Sequence, residues 1–386
     1  MKNMLNILTV FLLVCPVFSC DDTKEYPWND AWNNVEQPEQ PETPENPQEP
    51  QQPEQPVEPE QPENPEQPEQ PVEPEKPVEP EQPEQPQTPQ ISGQENWNDV
   101  TSSYAGLPEY IKIYKSKDQL MGKKAIAYLA VADMTKAQWD VWSVKIKDGA
   151  LTEQTNDSFK TPSQVYADKK SLIIINGGYF YYSGSSRYTA SLAVSNNEIL
   201  AYNIGYEYKD GATLLPARAV FREATDGTFD ACWTYVNWDK KHYMYQKPSD
   251  DPSKKPTADY PEGGKEFEAK NAIGGGPLLI NDGKYVNSYV QEVFYGINPD
   301  TDQPRTAVGI TSNGLMVYFV CEGRGMTAGV KGLTTGDVAN VLLQVGCVEA
   351  INLDGGGSSC MLINGKETIK VSDGSQRSVA STLMLK

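Results

Sequence analysis

The apolar residues of this chain come in short runs, and most of those runs stop at glycine or at a polar side chain. "AIAYLAVADM" (125–134) and "DVWSVKIKDG" (140–149) read as strands, the second with apolar residues at alternating positions. "SLIIINGGYF" (171–180) has consecutive apolar residues from Leu172 to Ile175, which predicts a strand covered on both faces and ending at Asn176, Gly177 and Gly178. "NAIGGGPLLINDGKY" (271–285) puts Gly274 to Gly276 before a strand and a turn at Asn281-Asp282-Gly283. "TAVGI" and "LMVYFV", joined through "SNG", predict a hairpin with Arg305 at its start and Glu322 and Arg324 just past its end. "INLDGGGSSCM" (351–361) repeats the design of the 171–180 stretch: an apolar run, one carboxylate at Asp354, then three glycines and two serines.

Helical signals are fewer. In "TPSQVYADKK" Thr161 is a natural N-cap and Pro162 suits the first helical position. "GLTTGDVANVLLQVGC" reads as a helix capped by Thr334 or Thr335, with Val338, Leu342 and Val345 on one face. The expected fold is one α+β domain over 93–386, with a mixed sheet and a few helices.

The first ninety or so residues are different in kind. From Pro38 to Pro89 a proline stands at every third position. That period matches the three-residue turn of polyproline II, so the prolines line one edge and Glu and Gln point outward. With almost no aliphatic side chains to bury, the stretch cannot offset its ordering entropy and is expected to be a disordered stalk. At about 3.1 Å per residue, residues 36–90 reach roughly 170 Å when extended. They also carry sixteen Glu against one Lys, a charge of −15, and the residues before them add −2 (two Lys, four Asp or Glu). Of the formal −20, about −3 is left for 91–386, so the acidic balance belongs to the tether, 21–92.

Residues 1–20 have Lys2, an apolar core from Leu5 to Val14, and small or kinked residues near the end, the pattern of a secretory signal. The apolar run is too short to span a membrane. "VFSC" resembles a bacterial lipobox, with Val17 and Ser19 in place and Phe18 where a smaller residue is usual. The resemblance implies cleavage before Cys20, a lipid on its sulfur, and an exported protein anchored at the outer membrane or cell surface. "CDDTKE" is similar to the acidic start of lipoproteins passed to the surface.

Candidate chemistry narrows quickly. With Cys15 and Cys20 assigned to the leader, Cys232, Cys321, Cys347 and Cys360 remain, enough for two disulfides with three possible connectivities. The single histidine, His242, lies in the polar stretch "DKKHYMY" and is expected at the surface. One histidine and no CxxC pair argue against a zinc site, and the absence of a G-x-S-x-G elbow argues against a serine triad. "GGGSS" lacks the lysine of a P-loop, and no basic patch interleaved with aromatics suggests nucleic acid. Glycine-rich turns are common structural devices. The coincidence of Asn176, Arg305, Glu322, Arg324 and Asp354, each at a predicted strand end, points beyond that to a cleft at the strand ends.

Together "INGGYF", "AIGGGPLLI", "PRTAVGI", "VCEGR", "INLDGGGSS" and "QRSVAS" resemble the phosphodiester glycosidase family, of the N-acetylglucosamine-1-phosphodiester alpha-N-acetylglucosaminidase type, from about residue 125 to the C-terminus. The resemblance implies a hydrolase of carbohydrate metabolism that cleaves a sugar from a glycosyl-1-phosphodiester. It places Asn176, Gly177, Gly178, Phe180, Arg305, Arg324, Asp354, Gly355, Gly356, Ser358, Ser359 and Arg377 at the site. Glu322 stands where the family more often has Asp, and Gln376 where Glu is usual before Arg377. On this reading Asp354 is the nucleophile or general base and Glu322 the second carboxylate. Arg305, Arg324 and Arg377 hold the phosphate, the glycine backbones let substrate approach, and Ser358 and Ser359 hydrogen-bond it. No cofactor is required, although Asp354 would also suit a divalent cation such as calcium. The alternative is a surface-tethered glycan-binding protein without turnover, whose tyrosines in "YFYYSGSSRY" and "YNIGYEY" would stack on sugars.

Overall fold

The computed structural model describes residues 89–147, 150, 158–183, 186–237 and 239–386. The leader, Cys20 and the proline-rich stretch lie outside the described residues. Packing begins at once: Ile91 is buried, and the Tyr114 hydroxyl donates to the Pro89 carbonyl.

Three sheets enclose one core. The largest has eight strands, in the order Trp97–Asp99, Ile111–Ser116, Ala127–Asp133, Leu315–Cys321, Arg305–Thr311, Cys347–Asn352, Leu278–Asn281, Lys284–Tyr285. A seven-stranded sheet is centred on Asn271–Gly274 and Arg218–Glu223, and a five-stranded sheet on Ile173–Asn176 and Ser381–Leu385. All three contribute to the central cluster, through residues such as Tyr318 and Ile351, Phe221 and Trp233, and Ile175 and Leu383.

The doubly apolar runs have a simple explanation. Side chains alternate across a strand, so in Leu315–Cys321 residues Met316, Tyr318 and Val320 enter the central core. Val317, Phe319 and Cys321 face the other way, under the helix Thr335–Val345 with its Val338, Val341, Leu342 and Val345. The second helix, Pro162–Lys169, covers the outside of the five-stranded sheet, where Val165 meets Ile174, Leu362 and Met384. Both caps are capping boxes, by Thr161 with Gln164 and by Thr334 with Asp337.

Two features correct the expectation from sequence. The molecule is more β-rich than α+β, its two described α-helices holding 8 and 11 residues. Nor is the sheet mixed, since every strand pairing among the described residues is antiparallel. The helix Thr335–Val345 does link two strands that run the same way, Leu315–Cys321 and Cys347–Asn352, but Arg305–Thr311 lies between them and is antiparallel to both.

Cys232, Cys321, Cys347 and Cys360 are all buried free thiols, so the two expected disulfides are not formed. Cys321 and Cys347 pair with opposite ends of one strand, at Arg305 and Thr311, about 20 Å apart at a strand rise of about 3.3 Å. His242 is also corrected. It is 7% exposed in the strand His242–Tyr245, against the rings of Tyr202 and Phe267. Neither ring nitrogen has a hydrogen-bond partner, and burial lowers its pKa to about 3.

Candidate active site

The register of the eight-stranded sheet puts several expected residues at one edge. Arg305 pairs with Cys321 and Ala307 with Asn352, so the chain leaves Cys321 toward Glu322 and leaves Asn352 toward Asp354 on the same side. The end of Ile173–Asn176 joins them, because Asp354 N–H donates to the Gly177 carbonyl at 3.1 Å. The third sheet arrives through Gly274 to Gly276, with Gly276 N–H donating to Asn352 O at 2.7 Å. The three glycine clusters therefore mark the junction of the three sheets.

Glycine is required there by contact. A Cβ on Gly178 would overlap Ser191 and the Gly274 carbonyl, and one on Gly275 would overlap the Asn352 carbonyl. Gly356 has φ 58°, a left-handed conformation, and a Cβ there would stand 2.7 Å from Arg324 Nη2.

Asn176 is fully buried and its amide is used by the protein. Nδ2 donates to the Asp354 carbonyl at 2.7 Å, while Oδ1 accepts from Thr306 Oγ1 at 2.8 Å and from Cys360 N–H at 3.1 Å. Arg305 is likewise committed. It is 2% exposed and donates to the carbonyls of Leu333, Ile297, Asn298 and Thr301. These two residues fix loops, and neither presents its donors to a ligand as the phosphate-holding reading of Arg305 requires. Phe180 packs with Phe159, Val144 and Ala380 in a separate aromatic cluster.

Asp354 is partly open to solvent, and burial among the sheet ends pushes its carboxyl pKa up to about 6. The Ser358 hydroxyl, Arg377 and Arg324 act in the opposite sense, favouring the charged form. The Ser358 hydroxyl has no hydrogen bond of good geometry to the protein, and the same holds for Glu322 Oε1 and Asn352 Oδ1. Orphaned buried polar atoms cost about 1–3 kcal/mol each, and these three belong to residues at the strand ends that meet the glycine loop. The Ser359 hydroxyl instead donates to Thr306 Oγ1, whose own proton goes to Asn176 Oδ1.

Glu322 is 2% exposed, and its Oε2 accepts from Lys370 N–H at 3.3 Å. In the register it lies opposite Pro304, whose carbonyl accepts from Gly356 N–H at 2.9 Å, so the second carboxylate and the glycine loop flank one residue. Arg324 has φ 54°, strained for a residue with a side chain, and its Nε donates to Gln303 Oε1 at 3.0 Å. Arg377 donates to Asp373 Oδ2 from Nε and Nη2, at 2.9 and 2.7 Å. Asp373 is a residue the sequence reasoning missed; the signal was a carboxylate four positions before Arg377 in the turn "SDGSQR". Tyr179 was also missed. Its hydroxyl donates to Gly276 O at 2.7 Å and accepts from Asn352 Nδ2 at 2.9 Å.

Gln376 points away from all of this. It accepts from Ser163 N–H at 2.8 Å and donates to Ser163 Oγ and Glu367 Oε1. Glutamine does both jobs, whereas a glutamate would face Glu367 with like charge. Among the described residues no three His, Cys, Asp or Glu side chains stand together as metal ligands.

The candidate site is thus a β-rich junction where the sheets converge on a carboxylate, a glycine loop and two arginines. The chain belongs to the phosphodiester glycosidase family, whose model matches residues 169–386. That family is one of glycosidases. The chain is 32% identical over 117 residues to the SPbeta prophage-derived uncharacterized protein YomE of Bacillus subtilis (strain 168), covering 30% of this chain and 17% of that protein. Among solved structures it is similar to a hypothetical protein from Synechocystis, at 15% identity and TM-score 0.48, covering 72% of this chain and 62% of that one. It is also similar to the zebrafish N-acetylglucosamine-1-phosphodiester alpha-N-acetylglucosaminidase catalytic domain, auto-inhibited by its pro-peptide, at 18% identity and TM-score 0.47, covering 75% and 86%. The chain thus spans less than a fifth of the Bacillus protein and under two thirds of the Synechocystis chain.

Proposed function

We infer that the protein hydrolyses a glycosyl-1-phosphodiester, such as an N-acetylglucosamine-1-phosphodiester or a related glycan, at the bond between C1 and the phosphate oxygen. The observation that carries this reading is the position of Arg324 and Arg377 against the glycine loop that follows Asp354, where a Cβ on Gly356 or Gly357 would strike their guanidinium groups. In such a reaction positive charge grows at C1 and a second negative charge grows on the departing phosphate. Asp354, ionised, stabilises or attacks C1, and the arginines gain attraction to the phosphate as the bond breaks. Interactions that strengthen toward the transition state raise turnover rather than only affinity. Glu322 serves as the second carboxylate and directs water to C1, while Ser358 and the N–H groups of the glycine loop contact substrate. The sugar leaves with a hydroxyl at C1 and the phosphate as a monoester, and a phosphate leaving group needs little acid help.

The test is sugar release from N-acetylglucosamine-1-phosphate diesters against matched aryl glycosides. Release from the diesters, with kcat/KM lowered about tenfold or more, mainly through kcat, in Arg324→Ala and Arg377→Ala, supports the reading. Release only from aryl glycosides removes phosphate from the mechanism, and no release from either favours the glycan-binding alternative. The same proposal sets the enzyme on the acidic stalk 21–92, exported and held at the outer membrane or cell surface through lipidated Cys20. Unchanged membrane fractionation of Cys20→Ala would remove that anchor.

A further inference from the structure

The two arginines at the glycine loop already have an anion between them. Asp373 Oδ2 accepts two hydrogen bonds from Arg377, and its Oδ1 stands 3.8 Å from Arg324 Nη1. The Asp373 side chain is 34% exposed and the arginines are 26% and 24% exposed, so the cluster opens to solvent. It also lies against the loop, since a Cβ on Gly357 would overlap both the Asp373 carboxylate and Arg377 Nη2.

The segment that carries Asp373 is fastened on either side and loose between. Lys370 N–H is held by Glu322, and Gln376 is held by Ser163 and Glu367. Between them runs a turn closed by Gly374 N–H to the Val371 carbonyl, with Gly374 at φ 78°. A carboxylate on such a turn, outside any strand, can leave the arginines by side-chain rotation without breaking a sheet hydrogen bond. One carboxylate oxygen takes both Arg377 N–H groups while the other faces Arg324, and a phosphate group has oxygens enough to make the same contacts.

We propose that Asp373 is the resident occupant of the phosphate subsite: its carboxylate neutralises Arg324 and Arg377 in the free protein and yields them to the phosphate of the substrate. The proposal rests on the phosphodiester reading above and adds a selectivity device to it. A neutral glycoside brings no charge with which to displace Asp373. A phosphodiester exchanges one monoanion for another, and the phosphate becomes the better partner as its second charge develops. Asp373 thus lowers ground-state affinity for any simple anion and leaves the transition state to recover the interaction.

The experiment is calorimetric titration of the full chain with inorganic phosphate, for the unsubstituted protein, Asp373→Asn and Asp373→Ser, with Asp226→Asn as a control that removes the same charge from a distant turn. Removal of the competitor should tighten phosphate binding about tenfold, a change of about 1.4 kcal/mol, in both Asp373 variants and not in the control. Unchanged or weaker binding in both overturns the proposal, because Asp373 would then be holding the arginines for their ligand. A structure of the unsubstituted chain with phosphate bound gives a check that needs no variant. The Arg377–Asp373 contact should open, and an ion bound with that contact intact overturns the idea. Since binding is read without turnover, tighter phosphate in a protein that releases no sugar would leave this inference standing while the hydrolase reading fails. Sugar release without the tightening would do the reverse.

Discussion

The side-chain amide of Asn176 donates to the main-chain carbonyl of Asp354 at 2.7 Å, across 178 residues of sequence. This bond ties the five-stranded sheet to the loop that carries the candidate catalytic carboxylate. Asn176 is thus a positioning residue, acting through Asp354. Asn176→Ala would also strand the buried Cys360 N–H and leave the Thr306 hydroxyl with Ser359 as its partner. Expected is a loss of about 2–3 kcal/mol in urea unfolding, with turnover reduced and KM little changed. A variant of full stability and full turnover would contradict the role.

Asp354→Asn separates catalysis from stability. Turnover should fall about a thousandfold or more. Its raised pKa means that ionising Asp354 destabilises the fold: the contribution is most favourable below the unfolded value near 3.8 and declines as pH rises through about 6. The Asn variant lacks that cost, so its Tm at pH 8 should equal or exceed that of the unsubstituted protein. For the unsubstituted enzyme, kcat/KM should climb with pH through about 6 as the carboxylate ionises.

Gln376→Glu restores the residue more usual in the family and should not help. It replaces the donor to Glu367 with a second carboxylate. A loss of up to about 1 kcal/mol in stability is expected, with KM unchanged. A lowered KM would place residue 376 in the site after all.

His242 makes an acid-sensitivity test. Its folded pKa, about 3, lies below the ordinary 6.5, so its contribution is fully present above pH 6.5 and is lost as pH falls toward 3. His242→Phe, which suits the neighbouring Phe267 and Tyr202 rings, should flatten the decline of stability by up to about 1.4 kcal/mol per pH unit over that window. Unfolding curves at pH 7, 5 and 4 give the answer, and parallel slopes for both proteins would exclude His242 as the cause.

Local sequence determined a good deal. Thr161-Pro162 and Thr334 set helix starts because capping needs only neighbours, and the continuous apolar runs announced strands covered on both faces. The motifs around Asp354 and Arg377 identified the family before any contact was known. What tertiary structure alone decided was the use of each polar group. Asn176 and Arg305 look like ligand-binding side chains in sequence; Asn176 is consumed by Thr306, Asp354 and Cys360 from distant segments, and Arg305 by carbonyls of the loop just before it and of Leu333. His242 sits among polar residues yet is buried, because folding lays Tyr202 and Phe267 over the sheet face it shares with Met244, opposite the central core. Asp373 stands four positions before Arg377, a spacing that many turn aspartates share; only folding set it between two guanidiniums. Sequence periodicity records which faces are covered, but hydrogen-bond partners are chosen by register and by the meeting of sheets, and those are properties of the folded chain.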